Sequence, residues 1–294
     1  MLKIINLDHW DEFEHAVKQA INEEIAYDSP RHTIFRGQPD AKWHLRTTLE
    51  RMIGKNMSAE KYFRLIEGIQ NKIETFANQR WKLPGYEDFQ KNIKDLLKMD
   101  EQTFFYMTYL RHFGFPSPLL DWTRSPFIAA YFAFRDVSNS ADKIAIYMFS
   151  KSSSEGFGIH VDDYPYISTI FKSPRNNKRH ELQQGIYTIC LREENETIYF
   201  SDHEDGGVNE EQRIPFVTKF ILPASERVNS LRALQTYNIN PYSLFGTEES
   251  LLESLFLERY KLALLHKMVI ENRAREYPGH DAYNIDVNDV NNIW

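Results

Sequence analysis

Residues 127–134, FIAAYFAF, are apolar almost all round, and a helix of that composition has to be buried. Ser125 and Pro126 stand directly before it as an N-cap and first-turn pair, which fixes where the helix begins. Ala129, Ala130 and Ala133 let another backbone come close, so the helix is expected to hold the preceding loop rigidly. The chain can cover such a helix: it has 294 residues, 42% hydrophobic and 14% aromatic, ample for a sizeable core.

The rest of the pattern is mixed. Trp10, Phe13, Val17 and Ile21 recur at helical spacing after Asp8, and Tyr62, Leu65, Ile69, Ile73 and Phe76 do so between about 58 and 81, before Pro84-Gly85. A further stretch with Phe89, Ile93, Leu96 and Leu97 leads to a helix ending near Gly114. KIAIYMF, GIYTICL, ETIYF and FVTKFIL then read as strands, without the regular crossover helices of a parallel sheet. Helical periodicity returns from Ala224. The fold class expected is α+β, a compact mixed or antiparallel sheet core with substantial helical additions. The organisation expected is an N-terminal helical element (1–30), a main domain (31–251) with a helical insertion at about 58–111, and a C-terminal helical extension with a polar tail (252–294).

Composition narrows the function. A formal net charge of -7 argues against unaided attraction to nucleic-acid backbones or membranes, although a local basic cleft stays open. Cys190 is the only cysteine and lies in GIYTICL, where a core strand position is expected and no intrachain disulfide is possible. No signal-like segment or run of about 18 apolar residues is present, so a soluble, cytoplasmic protein is expected. The sequence has no P-loop, GxGxxG, HExxH, zinc-spaced Cys/His cluster or GxSxG. The Asp and Asn residues of DAYNIDVNDVNNIW lack the Gly and terminal Glu of a calcium loop, so no metal is predicted.

Three segments carry chemistry. Arg36-Gly37 follows a β-branched and aromatic run, placing a guanidinium at a strand end where it can meet an anion or form an internal ion pair. The loop before the buried helix offers Thr123, Arg124 and Ser125 at a helix start, a phosphate-ready geometry. Before it, Asp121 either orients Arg36, Arg124 or His112, or caps its own turn. His112 is a hydrogen-bond donor or a satisfied structural histidine, and Trp122 a pocket wall for a flat ring or a core residue. In KRHELQQGIYTI, Gln183 is a ligand-orienting amide or backbone support, and Glu181 an acid able to assist oxocarbenium-like charge. Arg36, Asp121, Thr123 and Gln183 are expected to converge on one pocket.

IFRGQ, HFGFPSPLLDWTRSPFIAAYFAF and RHELQQGIYTI together resemble the FRG domain, a bacterial family named for its Phe-Arg-Gly motif, over approximately 34–251. His112, Gly114, Asp121, Trp122, Thr123 and Pro126 match its middle motif, and Arg179, Gln183, Gly185 and Tyr187 its later strand. Arg111 stands where Gln is common, and Ser117-Pro118 where Thr-Arg are. The order of motifs more remotely resembles ADP-ribosyltransferase-like folds. That resemblance implies an NAD-dependent ADP-ribosyltransferase or NAD glycohydrolase, a bacterial effector or phage-defence module. Arg36, Thr123, Gln183 and Glu181 would be catalytic. Arg36, Gly37, His112, Trp122, Thr123, Arg124 and Ser125 would bind NAD, and Asp121 would support the site. Gln183 stands at the usual acidic position and cannot act as a charged base. The alternative is a non-enzymatic protein-interaction or ligand-sensing module.

Overall fold

The structure is a computed structural model and describes residues 2–25, 31–54, 57–77, 79–94, 99–136, 141–152, 165–170, 178–204 and 217–259. It divides into two compact units, Met1–Ile239 and Asn240–Trp294.

In the first unit β-branched and aromatic runs supply β1 (Lys3–Asn6), β2 (Arg31–Gln38), β3 (Leu120–Thr123) and β4 (Lys143–Ser152). They are followed by β5 (Tyr166–Ile170), β6 (Gly185–Glu194), β7 (Thr197–Phe200) and β8 (Val217–Pro223). Among the described residues they form one sheet in the order β1-β8-β4-β2-β3-β6-β5, with β7 pairing β6. Only β1 and β8 run parallel, so the sheet is mixed and the fold is α+β, as the sequence indicates. β2 and β4 pair through eight residues, Arg31 to Gln38, whereas β2 and β3 meet at the single pair Phe35 and Thr123. The sheet is therefore joined across its centre by a narrow seam.

The described helices include α1 (Phe13–Ile25), α2 (Thr48–Ile53), α3 (Ala59–Ala77), α4 (Tyr86–Lys94), α5 (Glu101–His112), α6 (Pro126–Arg135), α7 (Lys178–Leu182) and α8 (Arg227–Thr236), with α9 (Pro241–Phe245) and a helical run over 248–259 in the second unit. Strand alternation sorts the core onto two faces. Tyr187, Ile189 and Leu191 of β6 pack under α3, α4 and α5, with Tyr62, Phe63, Phe89 and Phe104. Ile186 and Cys190, one residue out of step, face the rear with Ile34, Leu120, Trp122 and Tyr147. Cys190 is buried there, as its sequence setting predicts.

Several elements differ from the periodicity reading. α3 ends at Ala77, before Trp81, because the Trp81 amide turns back to Glu74 Oε1 (2.9 Å) and leaves the helix path. Strands β1, β3 and β5 are not among the strands expected from the sequence. Leu96, Leu97 and the terminal DAYNIDVNDVNNIW lie outside the described residues. Among the described residues no helix is long and apolar enough to cross a membrane, and no group of three or more His, Cys, Asp or Glu could hold a metal ion.

Candidate functional site

The site begins with the Arg-Gly pair. A Cβ on Gly37 would lie 1.9 Å from the Ala129 carbonyl oxygen and 2.6 Å from the Ala133 nitrogen, so only glycine lets β2 lie directly on α6. Ala129, Ala130 and Ala133 are fully buried, and the small faces of helix and strand meet. Ser125 caps α6, its hydroxyl accepting from the Ile128 amide at 3.3 Å, and Thr123 Oγ1 accepts from the Ser125 amide at 3.1 Å. The Arg124 amide donates to the Gln184 carbonyl (3.1 Å), tying this loop to the turn between α7 and β6.

Because Gly37 faces α6, Arg36 emerges on the opposite face, across from its partner Tyr147 of β4. Its Nη1 donates to the Asp121 main-chain oxygen at 2.7 Å, spanning the place where β2 and β3 part. Burial lowers the Arg36 pKa to about 10, with Asp121 opposing and Arg111 adding to the shift. Arg36 is charged at neutral pH and serves the seam.

On the helix-covered face, β3 and β6 form the floor of a cleft of about 200 Å³. Asp121 and its cross-strand partner Tyr187 lie on this floor, Arg111 and His112 of α5 form one wall, and Arg179, His180 and Gln183 another. Arg111 grips Asp121 with two donors: Nε reaches Oδ1 at 2.6 Å, and Nη2 donates to Oδ2. Its Nη1 donates to Thr48 Oγ1 at 3.3 Å, and that hydroxyl oxygen accepts the Ser117 amide at 2.9 Å. All three guanidinium nitrogens are thus engaged. Burial alone would raise the Asp121 carboxyl, but Arg111, then Arg36 and Arg179, outweigh it and hold the group below its usual range. Burial lowers the His112 pKa, and Arg179 lowers it further against the pull of Asp121. Burial likewise keeps His180 low.

The cleft gathers some of the residues read from the sequence and leaves others out. His112, Asp121, Trp122 and Gln183 border it. The Trp122 ring turns to the rear core, 4% exposed, with Nε1 donating to Thr188 Oγ1 at 2.7 Å, so its main chain is what it offers the cleft. The expected convergence of Arg36, Asp121, Thr123 and Gln183 is corrected: Thr123 pairs with Phe35, one residue out of step with Arg36, which puts the two side chains on opposite faces. Thr123 and Ser125 hold the loop, Arg124 is exposed, and Glu181 is exposed on α7 with its carboxylate 3.9 Å from His180 Nδ1.

The partner of Asp121 is also different from those expected. Arg111, met in the sequence only as a departure from a family pattern, takes the role considered for Arg36, Arg124 or His112. The signal was a lone basic residue and a lone acid on either side of the FGFPSP turn, ten positions apart. Thr48 gave no signal, since it sits across the fold from both.

Residues 31–142 match the family model of the FRG domain. The match takes in the Phe35-Arg36-Gly37 strand, Arg111, Asp121 and α6, while Arg179, Gln183 and Tyr187 of the same cleft lie beyond it. No curated protein and no solved structure matches the chain. The stretch similar to the FRG domain thus supplies the seam, the floor aspartate and one wall of the cleft.

Proposed function

We propose that the cleft binds one end of a small anionic ligand of the NAD or ADP-ribose class, and that the protein works as a ligand-binding module. One observation carries this reading: among the described residues two guanidiniums, of Arg111 and Arg179, and one carboxylate border the cleft, in a chain whose formal net charge is -7. Arg36 adds a third guanidinium behind the floor. Such a concentration of positive charge in a partly enclosed space attracts phosphate or carboxylate groups. At about 200 Å³ the space is smaller than the roughly 300–1,000 Å³ of sites that enclose a whole drug-sized ligand. It suits a sugar or phosphoryl end, with the remainder of a dinucleotide lying across the rim.

Binding is favoured over turnover by the state of the polar groups. Arg111 engages Asp121 on both oxygens, and Gln183 offers an amide that cannot serve as a base. Calorimetry with ADP-ribose, NAD and pyrophosphate tests the reading, together with an assay for released nicotinamide. Saturable binding is expected, at least tenfold weaker in Arg179→Gln, with no nicotinamide release. No saturable heat from any of the three would overturn it, and rapid release of nicotinamide would replace the module with an enzyme.

A further inference from the structure

We infer that the Tyr187 hydroxyl is the floor donor of the cleft: it gives its hydrogen bond to an oxygen of the phosphoryl group that Arg179 neutralises, so the ligand enters phosphoryl end first. The inference rests on the cleft being an anion site and adds the residue and the chemical group that meet on its floor.

Tyr187 is 6% exposed, yet among the described residues its hydroxyl makes no hydrogen bond, and the atom is not sealed in protein. What little surface it keeps opens on the space it borders, which is the cleft. The charges that act on the hydroxyl are those of Asp121, Arg111 and Arg179, three further residues of the same lining. A polar group so enclosed and left unpaired is costly, and it calls for a partner from outside. The ring itself is fixed. The His180 imidazole stacks on it with centroids 5.3 Å apart and planes at 20°, while Phe104 meets it edge-on at 6.0 Å. Gly185 makes the stack possible, since a Cβ there would come within 2.6 Å of His180 Cδ2. The direction of the hydroxyl is thus set before any ligand arrives.

Burial, and after it the Asp121 carboxylate, raise the Tyr187 pKa against the pull of Arg111 and Arg179, so the phenol keeps its proton at neutral pH. It has a hydrogen bond to donate. Asp121 is the anion at hand, but both of its oxygens already accept from Arg111, and the hydroxyl does not bond to it. The acceptor therefore has to be the ligand. A cation would enter a lining whose guanidiniums already outnumber its carboxylate, whereas an oxyanion is drawn in by them. Tyr187 offers its donor from the floor and Arg179 from a wall, and a tetrahedral phosphoryl group has oxygens enough to accept from both directions.

Tyr187→Phe keeps the ring and its packing and removes only the hydroxyl. Pyrophosphate is titrated by calorimetry into the full chain, into Tyr187→Phe and into Arg179→Gln at several salt concentrations, with urea midpoints measured alongside. A full chain carrying Tyr187→3-fluorotyrosine reports contact with the ligand by fluorine NMR. Tyr187→Phe is expected to bind about tenfold more weakly or worse, with the urea midpoint and the salt dependence of the unaltered chain, because a neutral donor is lost. Arg179→Gln is expected to flatten the salt dependence, and the fluorine resonance to shift and saturate with pyrophosphate. Unchanged affinity in Tyr187→Phe, or a fluorine resonance that stays in place at saturation, overturns the inference and leaves the anion site standing. A lowered urea midpoint in Tyr187→Phe would show that the hydroxyl serves the fold and overturns it as well. No binding to the unaltered chain removes both readings.

Discussion

A methyl group on Gly37 would sit 1.9 Å from the Ala129 carbonyl oxygen, inside a helix backbone that cannot give way. Gly37→Ala is therefore expected to destabilise the domain by about 3 kcal/mol or to prevent folding, a forced overpacking. Gly68, inside α3, meets nothing within 4 Å, so Gly68→Ala should stabilise by about 0.5–1 kcal/mol through helix propensity. Urea denaturation of both variants checks the contrast, and equal effects would mean that β2 does not lie on α6. The motif itself was legible in the sequence, but its cause was not. The helix that demands the glycine lies some ninety residues downstream, and nothing local to Phe35-Arg36-Gly37 reveals it. Arg36 was misleading for a related reason. Its position next to a turn-forming glycine suggested an open strand tip, whereas β2 continues to Gln38 and pairs with β4 throughout.

Local signals are stronger where a single element contains its own cause. Ser125-Pro126 predicted the start of α6 because cap and first turn are sequence neighbours, and the hydroxyl accepts the Ile128 amide as such a cap should. Ser125→Ala is expected to cost about 1 kcal/mol, read as a lower urea midpoint with unchanged slope. An unaltered midpoint would show that burial of α6 alone sets its start. β4, β6, β7 and β8 were legible because each has a run of β-branched and aromatic residues. β3 was not: LDWT has four residues, follows Pro116 and Pro118, and reads as loop until β6 is placed beside it. The cleft inherits this difficulty, since its floor is β3 and its walls are helix ends drawn from distant stretches.

At the scale of the whole molecule, stability should depend on acidity through His203. It is fully buried in contact with Thr188 Oγ1 (2.9 Å), and burial, assisted by Arg36 and Arg111, pushes its pKa down to about 3. An unfolded histidine takes a proton near pH 6.5. Between about 6.5 and 3 the unfolded chain thus binds more protons than the folded one, and stability falls as pH falls, by about 1.4 kcal/mol per pH unit where His203 dominates. His112 and His180, also lowered, act in the same direction. Urea midpoints between pH 7.5 and 5 should drop accordingly, and a flat profile would contradict a neutral, buried His203. The sheet also imposes an order on birth. Lys3 of β1 pairs with Thr218 of β8, 215 residues later, and β2 must wait for β4. At roughly 5–20 residues per second a ribosome takes about 10–40 s to deliver β8 after β1. For that interval the nascent chain presents an unmatched strand, which makes chaperone attendance and slow, cool expression the natural conditions for recovering the folded protein.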